Sequence, residues 1–179
     1  MSSPARIVPS ELDLDRAFTD KLVSSTEFCS WVLGKTKFRN QSKEAVLLDK
    51  EQAAAKPRKK PENWWRHWWC QLDDGSQSET DIFAVFGFKD SSARFALHIE
   101  DKPPRGKFTP NQDLNYGPRA KFMACKAEFM NYSEFTTILL APMAFCDKHS
   151  EEIKSFDAII TYEWVAKRIP LFAARNFWS

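Results

Sequence analysis

Two acidic side chains and a lysine fall at the ends of two strands that the sequence predicts to be neighbours. Asp81 opens the apolar segment 80–88, Glu100 closes the segment 93–100, and Lys102 follows two positions later. The polar sequence KDSSA between the segments favours an antiparallel hairpin, which places the start of the first strand beside the end of the second. Side chains alternate along a strand, so Glu100 and Lys102 share a face, about 6–7 Å apart. We therefore expect Asp81, Glu100 and Lys102 to form one cluster.

Two acids and a lysine at one strand end could bind a divalent cation. Two ionised carboxylates 4 Å apart near an apolar core repel each other by about 4 kcal/mol at an effective dielectric constant of 20. Protonation of one acid, an ion pair with Lys102, or a divalent cation would each relieve that repulsion. Carboxylate, carbonyl and water oxygens are the ligands that Mg²⁺ and Mn²⁺ prefer. A lysine beside such an ion can orient or deprotonate a water, or offset charge on a phosphate.

The same residues resemble the PD-(D/E)xK nuclease superfamily over roughly positions 20–165. Asp81 within ETD and Glu100 within EDK match its strand motif. Glu27, within SSTEFCSWVL, matches an acid that the first core helix commonly adds to the metal site. Gln112 and Tyr116, within QDLNY, match the Gln-x-x-x-Tyr pair of the RecB-like branch, and one helical turn places them on one face.

Some features depart from that pattern. Thr80 stands where the superfamily motif has proline, and Gly117 and Pro118 interrupt the motif helix just after Tyr116. The cysteines do not form the cluster of the iron–sulfur members of the branch, so no such cluster is expected.

The resemblance implies an α/β, restriction-endonuclease-like fold, with a mixed central sheet flanked by helices on both faces. It implies hydrolysis of phosphodiester bonds in nucleic acid, most often DNA, with Mg²⁺ or Mn²⁺. The implied metal ligands are Asp81, Glu100, Glu27 and the main-chain carbonyl of Asp101. Lys102 would act on the attacking water, and Gln112 and Tyr116 would steady the lysine or the strand. Single-domain nucleases that cut both strands often act as two copies, so the resemblance also allows a homodimer.

Hydrophobic periodicity predicts the elements that would position this cluster. We expect an N-terminal tail over residues 1–10 and one domain over residues 11–179. The segment 80–88 is apolar on both alternating faces, which favours a sheet covered on both sides. The predicted helices are 11–33, 42–55, 112–129, a piece near 150–156 and a final helix; the predicted strands are 64–72, 80–88, 93–100, 135–145 and a short strand after 156.

Composition excludes several classes of protein. The residues are 43% hydrophobic and 14% aromatic, so a disordered chain is not expected. No apolar run approaches the roughly 18 residues of a membrane span, and the N-terminus lacks the apolar centre of a secretion signal. The cysteines are widely spaced without a CxxC pair, which is typical of reduced, buried thiols. A cytoplasmic protein is therefore expected.

The net charge of +2 is too small to demand a polyanionic partner, but basic residues cluster near the acidic centre. Positive charge around an acidic site is what a phosphate backbone requires, and a solvated loop is the alternative. The candidates for contact with nucleic acid are Arg105, Lys107, Arg119 and Lys121.

Other interpretations stay open. Asp81, Glu100 and Lys102 could form an ordinary ion pair at a strand end, and Glu27 could simply reach water. His98 is expected to be a hydrogen-bonded core residue. The sequence NWWRHWWC is expected to be mostly core rather than a stacking surface for bases. The rival functions are a non-catalytic nucleic-acid-binding domain on the same fold and a structural interaction domain.

Overall fold

The computed structural model describes residues 8–56, 60–72, 75 and 77–173. Most of the predicted tail and the last six residues of the predicted domain, 174–179, lie outside this range. The helices are α1 (Glu11–Ser24), α2 (Thr26–Leu33), α3 (Asp49–Ala54), α4 (Gln112–Met123), α5 (Met143–Lys148) and α6 (Tyr162–Ala166). The strands are β1 (Val46–Leu47), β2 (Trp68–Gln71), β3 (Gln77–Thr80), β4 (Ile82–Phe88), β5 (Ser91–Asp101), β6 (Glu134–Ala141) and β7 (Ala158–Thr161).

The strands form a mixed five-stranded sheet in the order β1-β4-β5-β6-β7. The pairs β1–β4 and β4–β5 are antiparallel, whereas β5, β6 and β7 run parallel. The strands β2 and β3 form a separate antiparallel ribbon. The predicted α/β class with a mixed sheet is therefore confirmed. None of the helices in the described ranges is long and apolar enough to cross a membrane.

Alternation along β5 divides the core into two layers. Leu97 and Ile99 face the core cluster that contains Leu14 and Phe18 of α1. Ala96 faces the opposite cluster, which includes Met123 at the end of α4. Because side chains alternate along a strand, Glu100 lies on the face of the sheet covered by α4, and Asp101 lies on the face covered by α1.

The predicted helix 11–33 is two helices. Ser25 ends α1 in an extended conformation, and its hydroxyl accepts a hydrogen bond of 3.1 Å from the backbone nitrogen of Phe28 at the start of α2. Serine and threonine side chains compete for backbone hydrogen bonds, and the run Ser24-Ser25-Thr26 supplies three of them. The break lets α2 take a direction of its own after α1.

Other boundaries also differ from the prediction. The segment 42–55 contains the short edge strand β1 before α3. The predicted strand 64–72 begins only at Trp68, because His67 has a φ of 62°, which a strand cannot accommodate. Three tryptophans of NWWRHWWC are buried and Trp69 is exposed, which agrees with the expectation of a mostly core segment.

Candidate active site

The strand hairpin brings Asp81 and Glu100 side by side. Ile82 pairs with Ile99, so the preceding and following positions, Asp81 and Glu100, stand opposite each other. The backbone nitrogen of Asp101 donates a hydrogen bond of 2.9 Å to Oδ2 of Asp81. The strand geometry predicted from sequence therefore places these two acids together, at the end of β5.

Glu100 is fully buried and receives three donors from two directions. Gln112, the first residue of α4, donates from Nε2 to Oε1 at 2.6 Å. Tyr116, one turn later, donates its hydroxyl hydrogen to Oε2. Lys102 forms an ion pair with Oε1 from the same strand end. The residues of the Gln-x-x-x-Tyr motif thus hold Glu100 directly, rather than Lys102.

Lys102 is confined by its surroundings. Its side chain is 10% exposed, and its Nζ lies 5.7 Å from the centre of the Phe108 ring. A Cβ on Gly106 would lie 3.0 Å from the carbonyl oxygen of Pro103 and 3.4 Å from Cδ of Lys102, so glycine lets this loop close against the lysine stem. The ammonium group is consequently held at the acids rather than in bulk solvent.

A second pair of acids lies on the α1 side of β5. The hydroxyl of Tyr162, at the start of α6, donates to Oδ1 of Asp101 at 2.6 Å. Oδ2 of Asp101 and Oδ1 of Asp15 are both buried and accept no hydrogen bond from a nitrogen or hydroxyl donor among the described residues, and the two carboxyl side chains hydrogen-bond to each other. Asp15 belongs to α1, so this helix contributes an acid to the cluster.

Burial and like charge shift these acids towards their protonated forms. Burial, followed by the charges of Asp101 and Glu11, raises the pKa of Asp15 to about 9. Burial, then the charges of Glu100 and Asp15, holds the pKa of Asp81 well above its usual range. Burial likewise raises the pKa of Asp101, and the hydrogen bond from Tyr162 opposes that shift.

Glu11 marks the outer edge of the cluster. It lies one turn before Asp15 on α1, and partial burial raises its pKa, with Lys102 acting in the opposite direction and Glu100 in the same one. The cluster therefore runs from buried Asp15 to Glu11, which is exposed.

Glu27 is not the helix acid of this site. It is exposed on α2, and none of the contacts or charge effects at the cluster involves it. Asp15 stands in its place. The sequence did contain the signal, because Asp15 falls in the stripe of Leu14, Phe18 and Leu22 that faces the core.

The basic residues divide into two groups. Arg105, Lys107 and Lys121 are exposed, as contact with a phosphate backbone requires. Arg119 is 2% exposed, and its Nη1 donates to the carbonyl oxygen of Glu79 at 2.7 Å. Its guanidinium group also lies 3.9 Å from the centre of the Tyr116 ring. Arg119 is therefore buried against Tyr116, and its burial does not favour the predicted contact with nucleic acid.

His98 is a core residue, as expected. Its ring lies 3.2 Å from the Thr80 hydroxyl and 3.0 Å from the Tyr132 hydroxyl. Burial, and then the charge of Arg119, holds its pKa well below the usual range. A neutral, doubly hydrogen-bonded histidine supports the sheet and does not reach the acids at the strand end.

The carboxylate oxygens of the cluster are the type of ligand that a hard divalent cation prefers, but they are not arranged as a ready binding site. Within the described ranges, no three His, Cys, Asp or Glu side chains form a ready metal-ligand group. The oxygens of Glu100 are engaged by Lys102, Gln112 and Tyr116, whereas Asp15 and Asp101 each have a buried oxygen that faces only the other carboxyl group. Carboxylates kept protonated by burial can exchange those protons for a cation. The oxygen ligands are of the type that Mg²⁺ or Mn²⁺ prefers, and a cation would have to displace those protons.

Comparison of the chain with family models, with curated proteins and with solved structures found no match. We therefore infer the function of the chain from its own residues.

Proposed function

We propose that this chain is a metal-dependent nuclease that hydrolyses phosphodiester bonds in nucleic acid, with DNA as the favoured substrate. The observation that carries the proposal is the convergence of Asp81, Glu100 and Lys102 at one strand end, with Gln112 and Tyr116 bonded to Glu100. These are the motif positions of the PD-(D/E)xK superfamily, and we assign its restriction-endonuclease-like arrangement to the mixed sheet.

In this proposal Asp81, Glu100 and the main-chain carbonyl of Asp101 would hold Mg²⁺ or Mn²⁺, and Asp15 would take the role expected of Glu27. The ion would supply charge neutralisation at the phosphate and a water of lowered pKa. Lys102, kept beside Glu100, orients the attacking water or offsets the negative charge that develops on the phosphate. Gln112 and Tyr116 fix the carboxylate of Glu100.

The nucleic acid would approach from the exposed side of the cluster. Arg105 and Lys107 follow the catalytic strand end directly, and Lys121 lies on the exposed side of α4. Phosphate contacts of this kind make binding fall steeply with salt. The cytoplasmic location and the homodimer stay predictions.

The decisive experiment incubates the purified protein with single-stranded and double-stranded DNA in Mn²⁺, beside Lys102→Ala. We expect strand cleavage that requires the metal and falls at least about 100-fold in the variant, as with loss of one electrostatic catalytic group. Asp90→Ala, at the opposite end of the β4–β5 hairpin, is the matched control and should cleave normally. Equal products from wild type and Lys102→Ala, or none from either on several substrates, would contradict the proposal.

A non-catalytic nucleic-acid-binding domain on the same fold is the second candidate. The ion pair of Lys102 with Glu100, together with the lack of a ready ligand group within the described ranges, favours it. Calorimetry with Mn²⁺ separates the two functions, since the nuclease must take up the ion and the binding domain need not. Salt-sensitive DNA binding without uptake of Mn²⁺ would support the second candidate.

A further inference from the structure

Outside the candidate active site, two indole rings and three cationic side chains meet on the surface between α2 and α6. They line a shallow pocket of about 200 Å³, and we name them the Trp31–Trp164 patch: Trp31, Lys35, Trp164, Lys167 and Arg168. Neither the sequence motif nor the proposed chemistry uses any of them.

The cations stand over the rings. The guanidinium group of Arg168 lies 4.2 Å from the centre of the Trp31 ring, and Nζ of Lys35 lies 4.8 Å from the centre of the Trp164 ring. Trp164 is nevertheless 40% exposed. An indole that is ordered by cations and still open to solvent offers a flat surface for another ring.

The patch carries positive charge. Within the part of the chain that the structure describes, no acidic residue lines the pocket. Among the ion pairs of the described residues, none joins Lys35, Lys167 or Arg168 to a carboxylate. The acid of α6, Glu163, accepts a hydrogen bond from the backbone nitrogen of Met143 instead. A polyanion would therefore meet cations that form no ion pair with a carboxylate of the described residues.

The helix α6 separates the Trp31–Trp164 patch from the acidic cluster. Tyr162 is buried and donates to Asp101, whereas Trp164, two residues later, is exposed. Two residues turn an α-helix by about 200°, and the helix is about 10–12 Å wide with its side chains. A polymer seated on the patch would thus lie about one helix diameter from the acidic cluster.

We infer that the Trp31–Trp164 patch binds an unpaired segment of nucleic acid, with a base stacked on Trp164 and phosphates beside Lys35, Lys167 and Arg168. Aromatic rings combined with cations are the features that bind single strands, because unpaired bases expose their faces and bases in a duplex do not. The inference rests on the proposed function in one respect: it names the substrate class as nucleic acid with single-stranded segments.

The test is fluorescence anisotropy in EDTA, with a labelled oligothymidylate of about 12 nucleotides, a length within known single-strand site sizes. We expect Trp164→Ala to weaken binding about 5- to 100-fold, as loss of one stacked base does. Trp164→Phe keeps an aromatic face and should retain most of the affinity. Trp69→Ala, on the ribbon, is the matched control at a tryptophan that is 55% exposed, and it should bind normally.

The charge contribution has its own measurement. Replacing Lys35 and Arg168 together by alanine should reduce the slope of log affinity against log salt by about 0.7 for each cation. Lys89→Ala, an exposed lysine at the β4–β5 turn, should leave the slope unchanged.

Several results would overturn the inference: no binding by the wild type, equal affinity for a blunt duplex or for polyglutamate, unchanged binding by Trp164→Ala, or an equal loss in Trp69→Ala. The binding assay contains no metal, so it tests the patch independently of the proposed nuclease activity. Cleavage by a protein that fails this assay would overturn the patch alone, and binding without cleavage would overturn the nuclease alone.

Discussion

The backbone nitrogen of Asp101 donates a hydrogen bond of 2.9 Å to the carboxylate of Asp81, twenty residues earlier in the chain. This bond fixes the start of β4 against the end of β5. It therefore holds Asp81 beside Glu100, where desolvation and the charge of Glu100 raise the pKa of Asp81. Main-chain geometry therefore places the acids next to each other. Their ionisation there is unfavourable, and a bound cation would reduce that electrostatic cost.

Asp81→Asn separates these two contributions. Asparagine can still accept the hydrogen bond from Asp101 and removes an acid whose pKa is raised. At pH 8 without metal we therefore expect the free energy of unfolding to rise by about 1 kcal/mol or more, since each unit of pKa difference between the folded and unfolded states is worth about 1.4 kcal/mol. Metal-dependent cleavage should be lost. Urea unfolding in EDTA measures the first effect. Asp81→Ala, which loses the hydrogen bond as well, is the control; equal destabilisation of both variants would contradict the prediction.

The stability of the metal-free protein should fall as pH rises from 7 to 9. The pKa of Asp15 is about 9 in the folded protein and 3.8 when exposed, so the folded state holds a proton that the unfolded state has lost. The stabilisation is complete below pH 3.8 and disappears as pH rises towards 9. Each such acid contributes up to about 1.4 kcal/mol per pH unit. Thermal unfolding in EDTA measures the slope.

Asp15→Asn is the matched test of that pH dependence. Asp101, Asp81 and Glu11 also face the cluster with raised pKa values, beside the ion pair of Glu100 with Lys102, so the variant should reduce the slope rather than remove it. Mn²⁺ should stabilise the wild type more at pH 8 than at pH 6, because the cation competes with protons. A slope that is the same in wild type and variant would show that Asp15 is already ionised.

The alternation of β5 allowed much of the site to be predicted. A period of two assigns Glu100 and Lys102 to one face and Asp101 to the other, and hairpin pairing adds Asp81. The helix acid was missed because a motif match pointed to Glu27, and only the break at Ser25 and the docking of α1 show which helix faces the acids. The burial of Arg119 could not be predicted either, because its packing against Tyr116 depends on tertiary structure.

The variants Glu27→Ala and Asp15→Ala together test which of the two helix acids takes part in binding the cation. Glu27 is exposed, so its removal should change the free energy of unfolding by less than about 0.5 kcal/mol and leave cleavage intact. Asp15→Ala should weaken the uptake of Mn²⁺ in calorimetry. The reverse pattern would restore the assignment from the motif.

Tyr116→Phe tests whether the Gln-x-x-x-Tyr pair positions Glu100. Tyr116 is fully buried and donates to Oε2 of Glu100, so the variant leaves a buried carboxylate oxygen one donor short. We expect a loss of about 1–3 kcal/mol in stability without metal, the cost of an unsatisfied buried group. A bound cation would restore a partner to that oxygen, so saturating Mn²⁺ should recover part of the loss.

Gln112→Ala, at the half-buried first position of α4, should behave similarly with a smaller stability loss. If Mn²⁺ stabilised the wild type and Tyr116→Phe by the same amount, Tyr116 would have a purely structural role.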